Sequence, residues 1–143
     1  MKLNEIMTKN VQTARRDTKL TAAAKIMSDV NCGALPVVDG EKVVGVVTDR
    51  DIVLRAVARA MDTNVLTCGD CMTADAITVS PDMDAHEAAS LMASKQIRRL
   101  PVVENGKLVG IVALGDLATV DIHVDEAGSA LSSISVPSEP GAH

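Results

Sequence analysis

Shifted by 65 positions, the chain lies on itself without a gap. Met7 and Thr8 fall on Met72 and Thr73, Thr13 on Thr78, Asp17 on Asp82, and Ala23, Ala24 and Met27 on Ala88, Ala89 and Met92. Leu35-Pro36-Val37-Val38 falls on Leu100-Pro101-Val102-Val103, while Lys42, Val44, Gly45, Val47 and Asp51 fall on Lys107, Val109, Gly110, Val112 and Asp116. These are sixteen identities in the 47 positions from Met7 to Val53, where unrelated globular sequences give roughly three or four from composition. Pro, Gly, Asp and Met coincide as well as Ala and Val, so an Ala/Val-rich composition does not account for the match. Two copies of one unit are expected, repeat 1 over 1–64 and repeat 2 over 65–122, with a tail over 123–143.

Each copy carries the same order of signals. Thr8 to Ala14 alternates as a short strand does, and Leu20, Ala23, Ala24 and Met27 recur at i, i+3, i+4 and i+7, one apolar helical stripe. In the second copy Asp84, with Glu87 three residues later, has the form of a capping box ahead of Ala88, Ala89 and Met92. Ala34 to Val38 and Val43 to Val47 are β-branched runs separated by Asp39-Gly40-Glu41-Lys42, which predicts a hairpin. Thr48 to Asp51 then opens a last helix expected to face Ile52, Val53, Ala56, Val57 and Ala60 inward. The expected class is α/β of the α+β kind, two β-α-β-β-α repeats. A unit of fifty-odd residues buries too little apolar surface alone, so the copies are expected to pair around a pseudo-two-fold axis with a groove between them.

Composition removes several function classes. With 14 Lys and Arg against 19 Asp and Glu, the net charge of −5 repels a polyphosphate backbone. Phe, Tyr and Trp are all absent, so the aromatic platforms that stack splayed bases cannot be built. No nucleic-acid partner is expected. No apolar run reaches the roughly 18 residues of a membrane span, and Met1 to Asn10 lacks the basic head and apolar run of a secretory signal; a cytoplasmic location and no membrane partner are expected. The core must be made of Val, Ile, Leu, Ala and seven Met. No Ser-His-Asp or Cys-His order with supporting residues occurs, so no catalysis and no catalytic cofactor are assigned.

One motif closes both hairpins. Gly45-Val-Val-Thr48-Asp49-Arg50-Asp51 reads Gly-x-x-Thr-x-x-Asp, and Gly110-Ile-Val-Ala113-Leu-Gly-Asp116 keeps the glycine and aspartate but has Ala113 in place of the hydroxyl. With this signature, Met1 to about Val120 resembles a pair of cystathionine β-synthase (CBS) domains, the tandem called a Bateman module, of the small stand-alone bacterial type that includes hypoxic response protein-like CBS proteins. The resemblance implies a signalling module that senses an adenosine-containing ligand (AMP, ATP, NAD or an S-adenosyl compound) and forms a homodimer.

Physical chemistry gives the motif two readings. A first-turn aspartate can accept charge-assisted bonds from both ribose hydroxyls, each worth about 1.5–3 kcal/mol, which nominates Asp51 and, in the second copy, Asp116. Thr48 sets a hydroxyl beside unpaired backbone N–H groups where phosphate is attracted. Alternatively Thr48 is an N-cap and Asp51 a favourable first-turn acid. Without aromatic rings, adenine would lie between aliphatic side chains around Val11, Ala34, Leu35 and Pro36, or Ile77, Leu100 and Pro101. Arg98 and Arg99 are counter-charge candidates standing where AMP-binding relatives place basic residues; Arg50 is a weaker one, flanked by Asp49 and Asp51.

Cys68-Gly-Asp-Cys71 is a C-x-x-C, the form of a redox pair or half a zinc site. The repeat offers another account, since at the 65 offset Cys68 falls on Leu3, Cys71 on Ile6 and Cys32 on Ile97, all apolar positions. Ala127 to Ile134 could form one short helix, and Ser135 to His143 has a disordered composition. Three functional readings therefore stand at this point: an adenosine-sensing regulatory module, a C-x-x-C redox or metal sensor, and a structural dimerisation or protein-docking module with empty clefts.

Overall fold

The computed structural model describes residues 1–118, so the expectations for 123–143 lie outside the described residues. The mixed helix-and-strand class is as expected, and the two repeats follow the same plan. In the first, α1 (Leu20–Val30) buries Leu20, Ala23 and Met27 and leaves Ala24 exposed. It ends at Asn31 in the left-handed region, whose N–H closes on the carbonyls of Met27 and Ser28. β1 (Ala34–Asp39) and β2 (Lys42–Thr48) form an antiparallel hairpin turned at Gly40, φ 64°. α2 (Asp49–Ile52) follows, and α3 (Cys68–Cys71) and β3 (Thr73–Ala74) lie beyond it. In the second repeat, α4 (Ala85–Lys95) buries Ala85, Ala88, Ala89 and Met92. Asp84 is its N-cap, accepting from the His86 N–H, and Glu87 lies exposed in the first turn. β4 (Arg99–Glu104), β5 (Lys107–Ala113) and α5 (Leu114–Ala118) complete it, with the hairpin turned at Asn105 and Gly106, both at positive φ.

Two expectations are corrected. Thr8 to Ala14 is not a strand. Thr8 exchanges both backbone bonds with Ile111 (2.9 and 3.0 Å), whereas Ala14 donates to Pro36 O and accepts from Val38 N. The segment serves two different hairpins, so one straight strand is impossible, and it turns at Asn10, φ 57°. Its counterpart behaves alike: Thr73 and Ala74 pair with Val46 and Gly45, the chain turns at Asp75, φ 53°, and Val79 donates to Pro101 O. The last helix of repeat 1 is also shorter than expected. After Ile52 it widens into a π-helical turn over Val53–Val57, with Ala58 N–H reaching Val53 O. Only Ile52 and Ala56 are buried there, while Val53, Val57 and Ala60 are exposed.

The chain forms two compact units, and each takes a segment that lies outside its own repeat hairpin. One contains Asn10–Ile77 with Val103–Leu108, and its core joins Leu20, Ala23, Met27, Leu35, Val37, Val47, Ile52 and Ala56 to Cys68 and Cys71. The other contains Met1–Lys9, Thr78–Val102 and the described residues from Val109 on, with Leu3 packed among Ala88, Met92, Leu100, Val102, Val112 and Leu117. Equivalent positions of the two repeats thus answer one another: Leu3 is fully buried in one core and Cys68 in the other. Among the described residues no helix is long and apolar enough to cross a membrane.

Candidate functional site

The motif glycine is accounted for by packing. A Cβ at Gly45 would stand 2.7 Å from the Met72 sulfur and 2.7 Å from the Thr73 carbonyl oxygen; at Gly110 it would stand 2.6 Å from the Met7 sulfur and 2.9 Å from the Thr8 carbonyl oxygen. A methionine tip can swing aside, but the backbone oxygen belongs to a residue paired with the hairpin, Thr73 with Val46 and Thr8 with Ile111, and cannot. Each glycine therefore admits the segment that crosses its hairpin.

At the end of β2 the hydroxyl and the acid form a reciprocal box. Asp51 N–H donates to Thr48 Oγ1 at 3.0 Å, and Thr48 N–H donates to Asp51 Oδ2 at 2.9 Å. The N-cap reading of Thr48 is therefore part of the geometry. It leaves capacity over, because a carboxylate offers about four lone-pair sites and a threonine hydroxyl that accepts one bond can still donate another. The Asp51 side chain is 14% exposed, and its Oδ1 stands 3.9 Å from Arg55 Nε. In repeat 2 the box is one-sided: Ala113 N–H donates to Asp116 Oδ2 at 2.7 Å, and no hydroxyl returns the bond.

Backbone bonds bring the start of each hairpin to the same place. Asp49 N–H donates to Gly33 O at 2.9 Å and Leu114 N–H donates to Arg98 O at 2.8 Å. Ala34 pairs directly with Thr48. The structure thus gathers Gly33 and Ala34 with Thr48 and Asp51, and Arg98 and Arg99 with Ala113 and Asp116. Arg98 is exposed and Arg99 half-buried, and Arg50 is exposed with its N–H on the Asp49 carboxylate. Leu35 and Leu100 are core residues of their own units. Ala34, Pro36 and Pro101 alternate with them and are buried as well, while Val11 is half-buried and Ile77 is 36% exposed.

Arg55 is the residue that sequence reasoning missed. It lies four residues after Asp51, the spacing at which helix side chains of opposite charge meet, and that spacing was the available signal. Its Nη1 also donates to the carbonyls of Cys71 at 2.9 Å and Met72 at 3.3 Å, which no local pattern foretells.

The cysteines sit where an apolar residue would. Cys68 and Cys71 are buried, and Cys32 is half-buried with its thiol on the Ala34 carbonyl. Burial, with Cys71 nearby, pushes the Cys68 thiol up to about 11. Burial likewise raises Cys71, helped by the Asp70 carboxylate. Thiols held protonated are poor nucleophiles and poor metal ligands. Among the described residues, no three His, Cys, Asp or Glu side chains cluster so as to hold a metal ion.

The CBS domain model matches residues 3–58 and again 57–123. The chain belongs to the CBS domain family. The uncharacterised protein YlbB of Bacillus subtilis is 46% identical over 136 residues, covering 94% of this chain and 91% of its own. The crystal structure of hypoxic response protein I, which carries two coordinated zinc ions, is 34% identical with a TM-score of 0.77 and covers 83% of this chain and 98% of that one. The CBS domain pair of protein MJ0100, solved in complex with 5′-methylthioadenosine and S-adenosyl-L-methionine, is 31% identical with a TM-score of 0.76 over 83% of this chain and 94% of that one.

Proposed function

We propose that this CBS pair is a non-enzymatic regulatory module that binds an adenosine-containing ligand, with Asp51 accepting from the ribose hydroxyls and Thr48 donating to the ribose or phosphate linkage. The observation that carries the reading is the half-buried Asp51 carboxylate held by the Thr48 N–H at the end of β2, in a chain similar to a CBS pair that holds two adenosine compounds. A carboxylate already oriented by the backbone loses little freedom when a diol docks on it. Ala34 and Pro36 beside Thr48 are the aliphatic contacts proposed for adenine, with Val11 and Leu35 behind them; Ile77, Leu100, Pro101, Arg98, Arg99 and Asp116 are proposed to serve the second copy, and Arg50 to add charge at the first. The exposed Val53, Leu54, Val57, Met61 and Val65 supply the apolar surface for a homodimer.

The zinc-bearing relative raises a second reading, a C-x-x-C metal or redox sensor. The burial and raised thiol of Cys68 speak against it.

The test is dye-based thermal denaturation and calorimetry with AMP, ATP, NAD, S-adenosyl-L-methionine and 5′-methylthioadenosine, since the chain has no tryptophan or tyrosine to report. A compound at a hundredfold excess over its Kd should add about 2.7 kcal/mol of stability, and Asp51→Ala should weaken it about tenfold or more through the lost charge-assisted bonds. Zinc purified with the protein and lost on replacing Cys68 and Cys71 would instead favour the second reading. No shift with any adenosine compound at millimolar concentration, in a protein that sediments as a dimer, would leave docking as the function.

A further inference from the structure

We propose that Arg55 is a positioning residue that couples the occupancy of Asp51 to the segment Cys71–Ala74, the stretch of chain that leads from the first compact unit toward the second. The ligand half of this proposal rests on the function proposed above. Three contacts carry it. Arg55 Nε faces Asp51 Oδ1 at 3.9 Å, and Nη1 of the same guanidinium donates to Cys71 O at 2.9 Å and Met72 O at 3.3 Å. One planar cation therefore bridges a candidate ligand group and two backbone carbonyls sixteen and seventeen residues away in sequence. Those carbonyls close α3, and the next two residues, Thr73 and Ala74, pair with Val46 and Gly45 on the strand that ends at Thr48. Met72 also supplies the sulfur that fills the space beside Gly45.

The guanidinium geometry gives the direction of coupling. Arginine's donors form a rigid fork, so fixing one edge of the plane fixes the other. At 3.9 Å the Asp51 edge is longer than a hydrogen bond and is the weaker anchor of the plane. When ribose hydroxyls bind the Asp51 carboxylate, whose Oδ2 the Thr48 N–H already holds, the Oδ1 that faces Arg55 is held as well, and the bonds from Arg55 to Cys71 and Met72 tighten. By linkage, the factor by which a ligand steadies that segment equals the factor by which the intact clasp strengthens the ligand. The π-helical turn lies over Val53–Val57, around Arg55 itself, and such wide turns occur often at functional positions. At the 65 offset Arg55 falls on Val120, so the second copy has no arginine at this place.

The experiment is residue-resolved amide hydrogen exchange on the full chain, with 5′-methylthioadenosine as probe because it carries a ribose diol and no phosphate that could draw Arg55 directly. In the ligand-free protein, Asp51→Asn should speed exchange at Met72, Thr73 and Ala74 about threefold or more. It should add nothing in an Arg55→Met background, and exchange at Gly110 and Ile111 should stay unchanged in every variant. With the probe bound, wild type should slow at Met72 to Ala74 by a similar factor, Arg55→Met should bind it more weakly by that same factor with no slowing, and Arg55→Lys should recover part of the affinity but little of the slowing. Equal acceleration at Gly110 and Ile111 would mean general destabilisation and would overturn the clasp, as would an Asp51→Asn protein with unchanged exchange. Slowing that survives in Arg55→Met would overturn the ligand half. If no adenosine compound binds wild type, the ligand half falls with the proposed function, while the link between Asp51 and Arg55 is still decided by the ligand-free arm.

Discussion

The two ends of the repeated hairpin keep the glycine and the aspartate but differ in the hydroxyl and the charges around them, and that difference separates what the motif does for the fold from what it can do for a ligand. Asp51 and Asp116 both accept from the N–H three residues earlier, at 2.9 and 2.7 Å. The aspartate is therefore accounted for by the strand-to-helix turn in either copy, and its recurrence alone does not mark a ligand. Thr48 returns a bond that Ala113 cannot, and Arg55 adds a cation absent at the matching position. The first copy gathers more polar side chains at its strand end. The second instead has Arg98 and Arg99 at the start of its hairpin, where the first has Gly33 and Ala34.

The largest expected effect tests what the copies share. Gly45→Ala and Gly110→Ala should each destabilise by about 1–3 kcal/mol, the range for overpacking, because in both a Cβ would meet a paired backbone oxygen. Chemical denaturation should give similar losses for the two. A tolerant Gly110 beside an intolerant Gly45 would break the equivalence of the crossing segments.

A smaller effect tests the difference. Thr48→Ala should cost about 1 kcal/mol as a lost cap, making the first box as one-sided as the second. Ala113→Thr, which restores the missing acceptor, should gain a fraction of that. If Thr48→Ala leaves stability unchanged yet weakens an adenosine ligand, the hydroxyl serves the ligand more than the helix.

The smallest effect concerns Cys68, which holds the place that Leu3 holds in the other core. Its thiol keeps its proton in the folded state up to about 11, against an ordinary value of 9.0. Between those values the unfolded chain has released the proton and the folded chain has not, so stability falls as pH rises through that window. Cys68→Ala should flatten this part of the pH–stability curve, and alkylation of Cys68 in native protein should stay slow until the same range. Fast alkylation at neutral pH would return the C-x-x-C to the reactive class.

Much was legible because the code involved is local. The hairpins, α1 and α4 follow from runs and spacings of apolar residues, and the 65-residue offset made each copy a control on the other: Cys68 and Cys71 could be read as core residues because Leu3 and Ile6 stand opposite them. Thr48 and Asp51 were legible as an N-cap and a first-turn acid because both roles are set within one helix turn, whereas the reciprocal bonds between them came from the structure. The reading failed where one segment answers to two partners. Thr8 to Ala14 alternates like a strand, yet its ends pair with different hairpins, and only tertiary structure decides to which hairpin a short extended segment goes. Val53 and Val57 are apolar at helical spacing, but the turn widens and they stay exposed. Arg55 shows the same limit at the site. Its spacing from Asp51 was visible in the sequence, whereas its bonds to Cys71 and Met72 exist because folding returns a distant backbone to that helix face, and no periodicity along a chain encodes a contact with a carbonyl sixteen residues on.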